Sequence, residues 1–176
     1  MKKLKNSELD RISVEEFKKS KKIPITILLE NIRSAHNIGS VFRTADSFLI
    51  NEIILCGISA QPPNKDIRKT ALGSSESVEW KYEKNIDVAI QKLKDEGNKI
   101  ISIEQTTNSI SLENFKPSYS SKYAIIFGNE VNGIEQSTID LSDLAIEIPQ
   151  FGTKHSLNIS VAAGIIIWDI FSKINR

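Results

Sequence analysis

Three short segments of this 176-residue chain gather the side chains best suited to chemistry: HNIGSVFRT (36–44), GNEVNG (128–133) and TKHSLN (153–158). The first holds Asn37 and Arg43. A guanidinium stays protonated near neutral pH, so Arg43 is a poor general base, but its planar fork suits a phosphate or a ribose oxygen. Their spacing exceeds one helical turn, so the two converge only if Asn37 lies in the turn that enters the helix. As plain structural residues, Asn37 would cap that helix and Arg43 would be a solvated or ion-paired surface arginine. The second segment offers Glu130, an acid that a helix dipole alone would favour near an N-terminus. Gly128 is either a simple turn glycine or a point of close approach by a ligand. The third places Ser156 and Asn158 directly before a long apolar run, where Ser156 also suits a helix cap.

Several chemistries are excluded. GNEVNG lacks the Lys and Ser/Thr that follow in a phosphate-cradling loop, and no GxGxxG follows a strand. One Cys and two His allow neither an internal disulfide nor a Cys/His zinc site. His155 and Ser156 are neighbours without an acid partner, which does not make a nucleophile–base pair. His36 reads as a polar residue near a helix start. Cys56, inside EIILCG, reads as a core residue. No run approaches the ~18 apolar residues of a membrane span, and the N-terminus lacks the apolar middle of a signal peptide. A cytoplasmic protein with no membrane partner is the expectation.

Charge is uneven. Residues 1–22 carry eight Lys/Arg and four Asp/Glu, leaving 15 and 18 for the rest. A basic arm thus precedes a mildly acidic body. Such an arm attracts nucleic acid by neutralising phosphates, or is merely a solvated leader.

The elements that position these residues alternate. Strand-like runs fall at 23–29, 52–57, 78–82, 99–104, 122–128 and 144–149. Helical spacing marks 37–48, 85–96 and about 157–173, with a short helix after Pro62 and Pro63 and a loop over 105–121. The strands are apolar on both alternations, as strands covered on both faces should be. This predicts an α/β domain with a mostly parallel sheet and helices on both faces, whose ligands sit beyond the carboxyl ends of the strands. The last helix is apolar nearly all round, so it must be buried on more than one side, by a deep core or by a second copy.

Taken together, NIRSAHNIGSVFRTADSF (31–48), IIFGNEVNGI (125–134) and IPQFGTKHSLNISVAAGIIIW (148–168) resemble, in order, the three motifs of the SpoU, or TrmH-like, family of RNA ribose 2′-O-methyltransferases within the SPOUT superfamily. The resemblance implies a methyltransferase domain over 23–176, following an N-terminal arm over 1–22. It implies a C-terminal segment threaded as a trefoil knot, S-adenosylmethionine held there largely by backbone groups, and a homodimer. Arg43 matches the family's essential arginine and Asn37 its first-motif asparagine. Glu130 matches the second-motif acid, and Ser156 and Asn158 the third-motif pair. Glu104, Phe127, Gly128, Asn129, Ile148 and Leu157 fall where the cofactor is expected. Arg43 is expected to grip the substrate backbone and steady charge on the 2′-oxygen, and family precedent has it acting on the partner subunit's cofactor. The substrate would be RNA, with tRNA slightly favoured over rRNA. Two other readings are a noncatalytic RNA-binding module of the same fold and a small-molecule enzyme using another adenosine cofactor.

Overall fold

The computed structural model describes residues 1–174; the expected domain end at 175–176 lies outside the described residues. Strands β1 (Ile23–Glu30), β2 (Ile50–Cys56), β3 (Glu79–Glu83), β4 (Asn98–Ile103), β5 (Ile110–Ser111), β6 (Lys122–Phe127) and β7 (Leu144–Glu147) form one sheet in the order β3-β2-β1-β6-β4-β7-β5. Every pairing is parallel. Successive side chains therefore feed opposite cores. Ile27, Leu29, Ile53, Leu55, Ile125 and Phe127 face one core, while Leu28, Ile54, Ala124 and Ile126 face the other. That two-sided burial explains the unbroken apolar runs in the sequence.

Helices α2 (Ala35–Ser47), α3 (Lys65–Ala71) and α7 (Ile159–Ile174) cover the first face, and α5 (Ile86–Asp95) covers the second. Three short helices complete the set: α1 (Val14–Lys19), α4 (Ser74–Ser77) and α6 (Gln136–Asp140). Gly39 sits where α2 meets α3, and a Cβ there would lie 2.3 Å from the Ile67 carbonyl oxygen. The glycine lets the two helix backbones approach that closely.

Several sequence expectations are refined. The basic arm is not wholly a free leader. Ser13 and Glu16 form a reciprocal capping box, which starts α1, and Phe17 is buried against the domain. The Lys22 ammonium lies 4.3 Å from the Phe17 ring centre. Within 105–121, β5 adds a short outer strand, followed by a 3-10 turn at Leu112–Asn114; the carbonyls of Leu112 and of Phe115 just after the turn accept from Lys173 Nζ. Pro62 and Pro63 precede the short helix without entering it. Asn64 is its cap, accepting from the Asp66 and Ile67 amides. Cys56 is buried as expected, and burial, with Glu30 and Glu83 nearby, pushes its thiol up to about 12.

At the carboxyl end of β1, buried Glu30 accepts from Thr138 Oγ1 at 2.6 Å and from the Glu135 amide at 3.3 Å. Burial raises its pKa against these two bonds. This carboxyl ties the start of α6 to the sheet and so fixes the far end of the 128–135 loop. Among the described residues no helix is long and apolar enough to cross a membrane.

Candidate active site

Beyond the carboxyl ends of β4, β6 and β7 the chain encloses a cavity of about 610 Å³. Glu104, Phe127, Gly128, Asn129, Glu130, Ile148, Ser156, Leu157 and Asn158 all line it. Three loops therefore converge as the order of strands requires. The loop after β6 is the most tightly built. Asn129 and Gly133 exchange two main-chain hydrogen bonds of 2.9 Å, and Asn129 Oδ1 accepts from the amides of Val131 and Asn132. Asn129 Nδ2 donates to the Asn31 carbonyl at 2.7 Å, pinning the loop to the end of β1.

Gly128 has a specific reason to be glycine. A Cβ there would lie 2.3 Å from Gly133 C and Ile134 N. The chain's own backbone makes this close approach, and Gly128 has no positive φ. Gly133 does, at 71°, as the Asn-Gly turn requires. Glu104 reaches across from β4: its carboxylate accepts from the Ile134 amide at 3.1 Å and the Gln105 amide at 2.9 Å.

Glu130 organises the mouth. Its carboxylate accepts from the Arg33 and Ser34 amides, each at 3.1 Å, and from Asn37 Nδ2 at 3.0 Å. Asn37 Oδ1 in turn accepts from Asn158 Nδ2 at 3.2 Å. One chain of bonds thus links the second motif, the first turn of α2 and the start of α7. Partial burial would raise the Glu130 pKa, but the hydrogen bonds outweigh it and hold the carboxyl below the ordinary 4.5. A depressed carboxyl is a weak proton acceptor, so Glu130 positions rather than abstracts. Stability from this ionised group is present above the ordinary carboxylate value and is lost as pH falls through the lowered one. Thermal melts of the parent and Glu130→Gln, taken from about pH 6 to about pH 3, should therefore differ most near neutrality and converge in acid.

Two capping expectations change. Ser34, not Asn37, caps α2, with its Oγ accepting from the Asn37 amide at 3.2 Å. That places Asn37 in the entering turn with its side chain free for Glu130 and Asn158. Likewise α7 starts at Ile159, and Asn158 rather than Ser156 caps it, its Oδ1 accepting from the Ser160 amide at 2.9 Å.

Arg43 stands apart. It is exposed on α2 and lines a separate groove with Lys69, Thr44, Ser47, Thr70 and Phe48. Glu130 does not orient it within the chain, and no hydrogen bond or ion pair engages its guanidinium among the described residues.

Sequence reasoning missed Gln105. Segment 148–157 makes one hydrogen bond to the rest of the chain among the described residues, from Gln105 Nε2 to the His155 carbonyl at 2.8 Å. The signal was available only as an amide directly after Glu104.

The site fits an adenosine-bearing donor. Ile148 and Leu157 line the cavity, and their main-chain N–H and C=O groups take no partner within the described chain. Such groups need partners when covered, and an adenine edge supplies both donors and acceptors. No His/Cys/Asp/Glu cluster suited to a metal occurs among the described residues.

A fully parallel α/β domain with this cavity at its strand ends is the arrangement in which open sheets bind their ligands. Comparison with known proteins is specific: the SpoU rRNA Methylase family model matches residues 24–168. The chain belongs to that family, a family of S-adenosylmethionine-dependent methyltransferases. It is 33% identical over 165 residues to an uncharacterized tRNA/rRNA methyltransferase of Borreliella burgdorferi, covering 92% of this chain and 69% of that one. It is 30% identical over 148 residues to the tRNA (guanosine(18)-2′-O)-methyltransferase of Escherichia coli, covering 82% of this chain and 62% of that one. The crystal structure of the A. aeolicus TrmH/SpoU tRNA modifying enzyme superposes with a TM-score of 0.79 at 21% identity, covering 91% of this chain and 81% of that one. An AdoMet-bound rRNA methyltransferase from Sinorhizobium meliloti superposes with a TM-score of 0.78 at 23% identity, covering 85% of this chain and 56% of that one.

Proposed function

We propose that this chain transfers a methyl group from S-adenosylmethionine to a ribose 2′-hydroxyl of RNA, with tRNA favoured over rRNA. The observation that carries the reading is the bonded chain Glu130–Asn37–Asn158 at the mouth of a cavity with unengaged main-chain groups. The names of relatives support it: two are tRNA (guanosine(18)-2′-O)-methyltransferases, from Borreliella burgdorferi and Escherichia coli, and one is a 23S rRNA (guanosine-2′-O-)-methyltransferase of Neisseria meningitidis.

In this reading Ile148, Leu157 and Gly128 hold the donor, which supplies an electrophilic methyl carbon when bound. In-line displacement needs the ribose oxygen within about 3–3.5 Å of that carbon. Asn37 and Asn158 offer amide groups at the mouth, with orientations fixed by Glu130. Arg43 grips the RNA backbone and stabilises negative charge developing on the 2′-oxygen as the hydroxyl proton passes to solvent and the electron pair of the broken carbon–sulfur bond stays on the donor sulfur. Threading of 148–158 as a knot belongs to the same reading, as does action in the cytoplasm.

A homodimer completes it. Val161, Ile165 and Trp168 leave an exposed apolar stripe on α7. Trp168 packs on Phe48, ring centres 5.6 Å apart, and Phe48 lines the groove that holds Arg43. A second copy covering that stripe would bring Arg43 to its neighbour's cavity. Light scattering should return twice the 19.7 kDa chain mass. The activity is tested by mapping 2′-O-methyls in total RNA from cells with and without the protein. Loss of one or a few sites is expected; an unchanged map overturns the proposal.

A further inference from the structure

Phe151 is 96% exposed, and no ring or cation contact reaches it among the described residues. A single exposed ring is ordinary on a protein surface; what sets Phe151 apart is where it stands. It stands on segment 148–158, between Gln150 and His155, both of which line the cavity. Across the loop after β6, Val131 also lines the cavity and is 74% exposed. Two uncovered apolar side chains therefore stand on two different loops at the site: Val131 in its lining, and Phe151, which does not itself line the cavity but lies in sequence between residues that do.

The chemistry around Phe151 narrows its occupant. From Gln150 to Asn158 there is no carboxylate, while Lys154 and His155 follow closely and are exposed. A Cβ added at Gly152 would meet nothing within 4 Å, so the chain just after Phe151 is not packed against the domain at that point. A flat apolar face with the Lys154 ammonium close by in sequence suits a nucleobase with its phosphate. The site also demands a base at this distance. The ribose carbon bearing the 2′-hydroxyl is bonded to the carbon that carries the base, so a ribose at the mouth puts its base on the rim. The apolar surface suited to a second copy lies elsewhere, around Trp168 and Phe48, which do not line this cavity.

We infer that Phe151 is the stacking platform for the base of the nucleotide whose ribose is methylated. This rests on the RNA methylation proposed above. Its consequence is tolerance among bases, because every base offers a π-face. Selection of the nucleotide then falls to other contacts.

The test compares the unsubstituted chain, Phe151→Ala and Phe151→Tyr, using S-adenosylmethionine labelled in its methyl group with total bacterial tRNA and total rRNA. Phe151→Ala should raise KM for RNA about 5- to 100-fold with a smaller change in kcat. Phe151→Tyr should restore KM to within about twofold, since an aromatic face is kept. Calorimetric affinity for S-adenosylmethionine and the mass by light scattering should not change in either variant. An unaltered KM in Phe151→Ala overturns the inference. So does an equal loss of cofactor affinity, which would make the ring a support for the loop. A loss of dimer mass overturns it too, making the ring a subunit contact. If the unsubstituted chain methylates neither RNA, the functional reading has failed and the inference with it. If it is active and Phe151→Ala matches it, only the inference has failed.

Discussion

Arg43→Ala is expected to lower kcat by at least about 100- to 1000-fold while leaving S-adenosylmethionine affinity within about twofold. The guanidinium is exposed, has no intrachain partner among the described residues, and lines none of the donor cavity. Its loss therefore removes nothing that folds the domain or holds the cofactor, and the melting temperature should barely move. In the proposed reading, what it removes is charge stabilisation and substrate grip, which act only when RNA is bound. Arg43→Lys should recover little, because a point charge cannot reproduce a bidentate fork. Mixed dimers sharpen the result. Combining Arg43→Ala subunits with subunits damaged in the cavity should restore part of the activity if each site draws its arginine from the neighbour. A cofactor affinity that falls together with kcat would instead mark a structural arginine.

Gly128→Ala is the complementary case, damaging the cofactor site through the backbone. The added Cβ meets Gly133 C and Ile134 N at 2.3 Å, atoms that cannot swing aside as a flexible side chain would. Relief requires moving the 133–134 strand of the turn. That movement strains the paired bonds between Asn129 and Gly133 and the Glu104 bond to the Ile134 amide. Overpacking of this kind costs about 1–3 kcal/mol. Calorimetry should show S-adenosylmethionine affinity reduced at least about tenfold, with a lowered melting temperature. Wild-type affinity in Gly128→Ala would show that the turn yields without cost.

How much of this was legible in the sequence depended on the distance over which each signal acts. The parallel sheet announced itself, because strands buried on both faces must be apolar throughout, as in IPITILL and KYAIIFG. The cavity residues were named from motifs, and the strand ends do bring them together. Short elements were not legible. α4 and α6 are four and five residues long, too short to display a helical period. The capping readings erred for a local reason: Ser34 and Asn158 compete for jobs that Asn37 and Ser156 could do equally well by residue type. The separation of Arg43 from Asn37 was foreshadowed by their spacing, which sets them on different faces of α2. What was illegible is which surfaces those faces meet, because the tertiary placement of the helix decides it. Gln105 and the Gly133–Ile134 backbone were missed because their partners lie 50 and about 30 residues away in sequence.

The position of β6 carries a consequence for synthesis. It sits between β1 and β4, pairing Leu28 with Ile126 and Ile101 with Ile125. A nascent polypeptide can assemble β3, β2 and β1 early, but the inner edge of β1 stays unpaired until translation has passed Phe127. That edge is apolar and regular, the kind that templates association between molecules. Formation should be slow for a chain of this size, because sequence-distant pairings must close before the centre gains its stability. Truncated products ending before Lys122 should accordingly aggregate, and yield on recombinant production should depend on temperature and on chaperone supply more than on the strength of the finished domain.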